Sequence, residues 1–191
     1  MKRLLTSVVV FMLAGICARG QEVRIPYDYT KTSPQELHIY EQNVLDCVEW
    51  LVNTPVDEQP ADRQAVRKFV LEWIEATPSV AVYLDPQLMD FTKDSQYMDE
   101  ILTVYAGGYL SGLLRDKDTR GNLESSASDV AYPKGLTKAD RIKGATSAIE
   151  TSLEFYDLNK DKLGRNSTLE KYKEMLDDGT LREHIESTLY E

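Results

Sequence analysis

Two short runs of acidic and amide side chains have the spacing with which a calcium-binding loop begins. In the first, Asp157, Asn159 and Asp161 stand at alternate positions, as the first oxygen ligands of an EF-hand do. Such a loop also needs a turn glycine and a bidentate glutamate, but the chain has Lys162 and Thr168 at those positions. The second run, residues 116–121, has the glycine but places an arginine at the third ligand position. We predict no metal site in either run.

Nucleophiles and general bases are scarce in this chain. The two histidines, His38 and His184, have no partner at metal-ligand spacing, which argues against a zinc site and weakens any hydrolase built on histidine. Cys47 falls on the apolar side of a predicted helix, where an unpaired cysteine is best interpreted as a small hydrophobic residue. No nucleotide-binding or nucleophile-elbow motif occurs. The sequence therefore predicts a protein that is not an enzyme and holds no cofactor.

Tyrosine is the residue type that most favours a binding function, because exposed aromatic side chains contribute much of the energy of protein interfaces. The chain has 11 tyrosines and two tryptophans. Most of them fall on predicted buried faces, among them Tyr40, Trp73, Tyr105 and Tyr156. Four tyrosines fall outside these faces and are our candidates for contacts with a partner: Tyr27, Tyr29, Tyr83 and Tyr132.

Helices must position these side chains, and the clearest one is predicted from Thr137 to Leu163. Its apolar and small residues recur every three to four positions, while acidic and basic residues occupy the other side. Such a pattern is typical of a long helix with one face buried. The apolar face comprises Ile142, Ala145, Ala148, Ile149, Leu153, Phe155, Tyr156 and Leu163.

The same period predicts three further main helices, at 33–53, 61–76 and 95–114. The first begins with a capping signature of Ser33, Pro34 and Glu36. Two short helices close the chain: one is capped by Ser167 or Thr168 and stopped by Gly179, and the other starts at Thr180. Residues 79–84 alternate like a strand but lack a pairing partner, so we expect an extended connection. The fold class predicted is all-α: a single bundle-like helical domain over residues 33–191, with four main and two short C-terminal helices.

Two features of this domain leave alternatives open. Gly107, Gly108 and Gly112 lie within the third helix, where each glycine costs roughly 1 kcal/mol relative to alanine. They indicate close approach of another helix or a kink, or else a backbone left bare for a ligand. Residues 115–136 form a long polar loop without any period, which favours disorder over a functional loop.

The first 20 residues are typical of an export signal, with Lys2 and Arg3 before a short apolar run. We expect cleavage before Gln21, followed by an extended arm over residues 21–32. A bacterial lipoprotein anchored through Cys17 is the less favoured alternative, because Ile16 stands where the processing enzyme requires a small residue. The apolar run is too short to span a bilayer, so we expect no transmembrane span in the mature chain.

Charge bears on the class of partner. The full chain has a formal charge of −10, and removing residues 1–20 would leave 19 basic against 32 acidic residues, or −13. Because nucleic acid requires a basic surface, an acidic chain with scattered lysines and arginines is not expected to bind it.

Between Ile142 and Lys160, and again at Leu169–Tyr172 and Gly179–Glu183, the chain resembles small exported proteins of unknown function from Bacteroidetes-type bacteria. The likeness covers the second and later predicted helices. It implies an all-helical protein with a signal peptide, exported to the periplasm or secreted. That family has no established activity, so the resemblance implies no functional residues.

The hypothesis that follows is a non-enzymatic protein-interaction module of the bacterial cell envelope, with an unknown protein as its partner. The alternative is a small-molecule carrier that binds an apolar ligand between helices, beside Gly107 to Gly112. An enzyme would require a cleft that gathers carboxylates with His38 or His184.

Overall fold

A computed structural model describes residues 23–93, 95–115 and 136–190. Six α-helices make up most of this part of the chain, and the described residues contain no strand, which confirms the predicted all-α class. The helices are α1 (Glu41–Asn53), α2 (Pro60–Ala76), α3 (Met98–Leu114), α4 (Lys138–Leu163), α5 (Ser167–Asp177) and α6 (Leu181–Tyr190). The four longer helices and the two short C-terminal ones correspond to those predicted.

Helices α3 and α4 form the centre of the fold and pack more extensively than any other pair of described helices. A Cβ atom built on Gly108 would lie 2.6 Å from Cβ of Thr151, and one on Gly112 would lie 2.5 Å from Cβ of Ser147. Later residues of α3 thus meet earlier residues of α4, so the two helices run antiparallel. The small residues of α3 serve close helix packing, as the first of the two interpretations predicted.

A continuous core of buried side chains connects all six helices. On α4, the predicted apolar face is buried except for Leu163, which is half-buried. Trp73 of α2 is fully buried and donates a hydrogen bond of 2.9 Å from Nε1 to the carbonyl oxygen of Leu37. Because an indole N–H loses its water on burial, this bond satisfies the one polar atom of the largest core side chain.

The helix ends show which polar side chains set the boundaries. Thr137 and Asp140 form a reciprocal capping box at the start of α4, which satisfies two otherwise unpaired backbone donors. The predicted cap of α5 was wrong by one position: the side chain of Asn166, not Ser167 or Thr168, accepts the hydrogen bond from the backbone of Leu169 at 3.1 Å. Gly179, with a φ of 72°, ends α5 as predicted.

Two predicted helices begin later than the sequence indicated. Residues Pro34–Tyr40 form a 3₁₀-helix that leads into α1, and the Ser33 hydroxyl bonds to the Glu36 carboxylate rather than to a backbone amide. Helix α3 begins at Met98 instead of residue 95. The helical period places Met98 on the buried face, yet this side chain, at the first position of the helix, is 46% exposed.

The remaining described segments lack long helices. Tyr29–Lys31 form a 3₁₀ turn within the N-terminal arm, so the arm is not extended throughout. Residues 79–85 have no regular secondary structure, as expected for a connection, and a 3₁₀ turn at Asp90–Thr92 follows them. The predicted export signal, Cys17 and the polar loop at 116–135 lie outside the described residues. In the part of the chain that the structure describes, no helix has the length and apolar content that crossing a membrane requires.

Candidate interaction surface

The four candidate tyrosines have different fates. Tyr27 is 89% exposed in the N-terminal arm. Tyr29 is half-buried: its ring packs edge-on against Phe69 at 4.8 Å, and its hydroxyl donates to the carboxylate of Glu72. Tyr29 therefore fastens the arm to α2 and is engaged within the chain. Tyr132 lies outside the described residues, and Tyr83 is 41% exposed in the extended connection.

Tyr83 belongs to an alternating stack of aromatic rings and cations, which we call the tyrosine–cation ladder. The ladder consists of Tyr83, Arg141, Tyr190 and Lys138. The Arg141 guanidinium lies 4.6 Å from the ring centre of Tyr83 and 5.7 Å from that of Tyr190. The Lys138 ammonium lies 4.6 Å from the centre of the same Tyr190 ring and is the last member of the ladder. Both cations are within the distance at which a ring attracts a positive charge.

Three separate parts of the chain position the ladder. Tyr83 lies in the connection that follows α2. Helix α2 ends before Thr77, because Pro78 disfavours a helical backbone at the residue before it. Lys138 and Arg141 lie three residues apart in the first turns of α4, and this spacing places them on one side of the helix. Tyr190 is in the last turn of α6. The capping box of Thr137 and Asp140 orders the start of α4, where both cations lie.

The two cations of the ladder differ in their acidic partners. Lys138 forms an ion pair of 3.0 Å with Glu186, also on α6. Arg141 approaches Asp85 only to 4.0 Å, the limit for an ion pair. The Nε atom of Arg141 is buried and has no hydrogen-bond partner among the described residues. The contacts of the Arg141 side chain thus include the two tyrosine rings but no close carboxylate.

Tyr109 of α3 lies below the ladder, with its ring 6.4 Å from that of Tyr83. Its side chain is buried, and its hydroxyl faces the Arg141 side chain without forming a well-aligned hydrogen bond to a described residue. Burial raises the pKa of Tyr109 well above its usual range, although the charge of Arg141 opposes this shift. The hydroxyl stays protonated at neutral pH and remains a potential donor beneath Arg141.

A hollow of about 600 Å³ borders the ladder, between the start of α4 and the last two helices. Lys138 and Tyr190 belong to the ladder and also line this hollow, whose other lining residues include Met175, Glu183, His184 and Glu186. Burial lowers the pKa of His184, so this side chain is neutral at neutral pH. The hollow is large enough to receive a side chain of a partner.

A second, open groove of about 490 Å³ crosses α1, α3 and α4. Gly112 and Ser147 lie at its floor, and its walls carry charges of both signs, including Arg115 and Glu150. Burial raises the pKa of Glu150, and the nearby carboxylate of Glu154 adds to this shift. The groove is polar, unlike the apolar cavity expected for a carrier.

Most of the residues considered for metal or acid–base chemistry have structural surroundings, but His184 shares its hollow with Glu183 and Glu186, the combination that an enzyme would require. Asp157, Asn159 and Asp161 lie within α4 rather than in a loop. The buried Asn159 amide oxygen accepts from the backbone of Val56 at 2.7 Å and ties α4 to the segment after α1. His38 is exposed on the 3₁₀-helix that precedes α1. No group of three metal-type ligands occurs among the residues that the structure describes.

Cys47 is fully buried in α1, and this burial, with a smaller contribution from Asp46, raises its pKa to about 12. A raised pKa keeps the thiol protonated, so only ~10⁻⁴ of it is thiolate at pH 8. We expect iodoacetamide at pH 8 to leave Cys47 unlabelled in the native protein and to label it fully in denaturant, measured by peptide mass mapping. Fast labelling of the native protein would show that this part of α1 opens readily.

No protein-family model, no curated protein and no solved structure matches the chain. The fold and the surface therefore define only a class: an all-α protein with an alternating tyrosine–cation stack beside a hollow.

Sequence reasoning finds one member of the ladder and misses three. Tyr83 stands out because it lies outside the apolar faces of the helices. Lys138, Arg141 and Tyr190 look like ordinary solvent-facing residues of helix ends. The sequence indicates only that Lys138 and Arg141 share a helix face. Tertiary packing then places two tyrosines beside this face, which the sequence does not indicate.

Proposed function

We propose that this protein is a non-enzymatic interaction module of the bacterial cell envelope that binds a protein partner through the tyrosine–cation ladder. The observation that carries this proposal is the stack of Tyr83, Arg141, Tyr190 and Lys138, beside a hollow of about 600 Å³. The export-signal sequence of residues 1–20 supports the location.

The composition of the ladder suits a protein interface. Tyrosine and arginine are enriched among the residues that dominate binding energy. A tyrosine presents a large contact area with few rotatable bonds, and the flanking cations restrict its orientation further. A surface already ordered before binding loses less conformational entropy when a partner docks.

The segment that carries Tyr83 and the ladder tyrosines themselves expose apolar area. Leu84, next to Tyr83 in the chain, is 53% exposed. Tyr83 and Tyr190 are 41% and 39% exposed, so a partner could bury further area on both rings. Burial of apolar surface contributes roughly 25 cal/mol per Å², and this contribution would accompany the polar contacts of the two cations.

A carrier of an apolar ligand is the second candidate, and the groove beside Gly112 is the observation that favours it. However, the faces of all three glycines are occupied, since Val48 packs on Gly107, Thr151 on Gly108 and Ser147 on Gly112. The groove that remains is open and lined with charged side chains. An apolar ligand prefers an enclosed apolar pocket, so the interaction module has the stronger support.

Site-specific photocrosslinking in the bacterium that carries the gene tests the proposal. A photoreactive benzoylphenylalanine replaces Leu84, which follows Tyr83 in the chain, or Leu158 on α4 as the matched control. The two leucines are 53% and 48% exposed, so both probes face solvent to a similar degree. We expect a discrete protein adduct from position 84 that is absent from position 158, detected by immunoblotting.

Circular dichroism of both probe-bearing proteins serves as the folding control. Adducts of equal yield from the two positions would mean that partners contact the protein without a preferred surface. That result would count against the ladder as the binding surface. No adduct from position 84 in cells that produce normally folded protein would contradict the proposal.

A further inference from the structure

We infer that the ladder recognises a carboxylate on the partner protein, bound at the edge of the Arg141 guanidinium. This inference rests on the proposed function and specifies the chemistry of the partner. It is carried by the position of Arg141 between two rings, by its weak acidic partner and by the buried donors next to it.

Two aromatic rings lie close to the Arg141 guanidinium. The Tyr83 and Tyr190 rings lie 4.6 Å and 5.7 Å from the central carbon of Arg141. The two rings occupy part of the space around the cation. A partner that approaches along the edge of the guanidinium meets its N–H groups. That edge matches the two oxygens of a carboxylate, which can accept two parallel hydrogen bonds.

The edge of the Arg141 guanidinium has only a distant carboxylate as its acidic partner. The Arg141 side chain keeps 31% of its surface exposed, and its nearest acidic partner, Asp85, lies 4.0 Å away. That distance is too long for a hydrogen bond. By contrast, Arg165 holds its own partner, Glu170, at 2.8 Å through Nε. The guanidinium edge of Arg141 therefore retains donors for an incoming acceptor.

Two buried hydrogen-bond donors lie at the ladder. Nε of Arg141 and the hydroxyl of Tyr109 are both buried without a well-formed hydrogen bond to a described residue, although the Tyr109 hydroxyl faces the Arg141 side chain. Unsatisfied buried donors are costly and uncommon in native proteins. An anion bound at Arg141 would lower this cost, because its negative charge would act on both donors at short range.

The acidic groups around the hollow limit what kind of acidic partner fits. Glu183 and Glu186 lie on the side of Lys138, and Asp85 lies on the side of Tyr83. These carboxylates would repel a run of acidic residues. The surface thus fits a single carboxylate flanked by apolar side chains, one of which would contact Leu84 or enter the hollow beside Met175.

Selection from random peptides tests this inference and does not require the partner to be identified. Peptides displayed on phage are selected on the protein as it is recovered from expressing cells, and the enriched peptides are synthesised with acetylated and amidated ends. We expect one aspartate or glutamate next to aliphatic or aromatic residues. Binding, measured by calorimetry, should weaken roughly tenfold or more for Arg141→Gln and also for Arg141→Lys, which keeps the charge but loses the planar fork.

Arg165→Gln is the matched control, since it removes an exposed arginine from another surface and should leave the affinity unchanged. Restoring a free C-terminus in the synthetic peptides separates the two sources of a carboxylate: tighter binding of the free form would assign the site to a chain terminus, and equal binding to a side chain. Circular dichroism confirms that each variant is folded.

The remaining outcomes separate this inference from the proposed function. Peptides without an acidic residue that lose affinity with Tyr83→Ala but not with Arg141→Gln would overturn the inference and leave the docking surface in place. Peptides that bind all variants equally, or a selection that enriches none, would count against both.

Discussion

Replacing Glu100 by alanine is expected to lower the free energy of unfolding by about 3 kcal/mol or more. Glu100 is the acidic partner of two arginines of α2: one of its oxygens lies 2.9 Å from Nη2 of Arg63, and the other lies 3.2 Å from Nε of Arg67. Only 2% of the Arg63 side chain is exposed. The substitution would leave this buried cation without its counter-charge, which is far more costly than losing an exposed ion pair.

Arg63 cannot escape to solvent, because it also fixes the end of α1. Its guanidinium donates to the carbonyl oxygens of Thr54 at 2.8 Å and Leu51 at 3.2 Å. These are acceptors that the end of a helix leaves unpaired. Loss of Glu100 would therefore disturb the junction of α1, α2 and α3 together.

Urea unfolding followed by circular dichroism at 222 nm measures the effect. Glu49→Ala is the matched control, since Glu49 pairs with Arg115 at 3.3 Å but about half of both side chains is exposed. Exposed pairs contribute about 0–1 kcal/mol, so this control should unfold nearly as the parent does. Equal losses for Glu100→Ala and Glu49→Ala would contradict the importance of burial.

The substitution Gly108→Leu is expected to destabilise the protein by about 2 kcal/mol. The first added carbon would lie 2.6 Å from Cβ of Thr151 and 3.0 Å from the backbone Cα of Ala148. Backbone cannot rotate out of the way as a side chain can, so α3 and α4 must separate. Leucine improves helix propensity by roughly 1 kcal/mol over glycine, and the cost of separating the helices exceeds this gain.

Ala139→Leu is the control for this variant, because it adds the same side chain at an exposed position of α4. Its thermal midpoint should change little, whereas that of Gly108→Leu should fall by several degrees. A midpoint for Gly108→Leu at or above that of the parent would mean that the helices have room to spare at this contact.

The sequence predicted the helices well because their physical causes are local. Apolar residues at helical spacing, such as Ile142 and Ile149, predicted the buried face of α4 correctly. Gly179 marked the end of α5 because a positive φ favours glycine. Errors arose at boundaries, where the cap of α5 fell on Asn166 and the chain before α1 formed a 3₁₀-helix.

The candidate surface was far less predictable, because its causes are not local. The ladder residues are separated by more than fifty residues on one side of Arg141 and nearly fifty on the other. Nothing in the sequence near Tyr190 indicates that it would lie against the start of α4. The same holds for the pair of Arg63 and Glu100, whose members look like surface residues of two different helices until the helices are packed.

The distribution of the ladder over three distant segments links recognition to folding. Tyr83, Arg141 and Tyr190 come together only when the connection after α2, the start of α4 and the end of α6 are all in place. An unfolded chain would have no comparable affinity for the partner. Bound partner would therefore draw molecules toward the native state, adding about 2.7 kcal/mol of stability at a free concentration one hundred times the Kd.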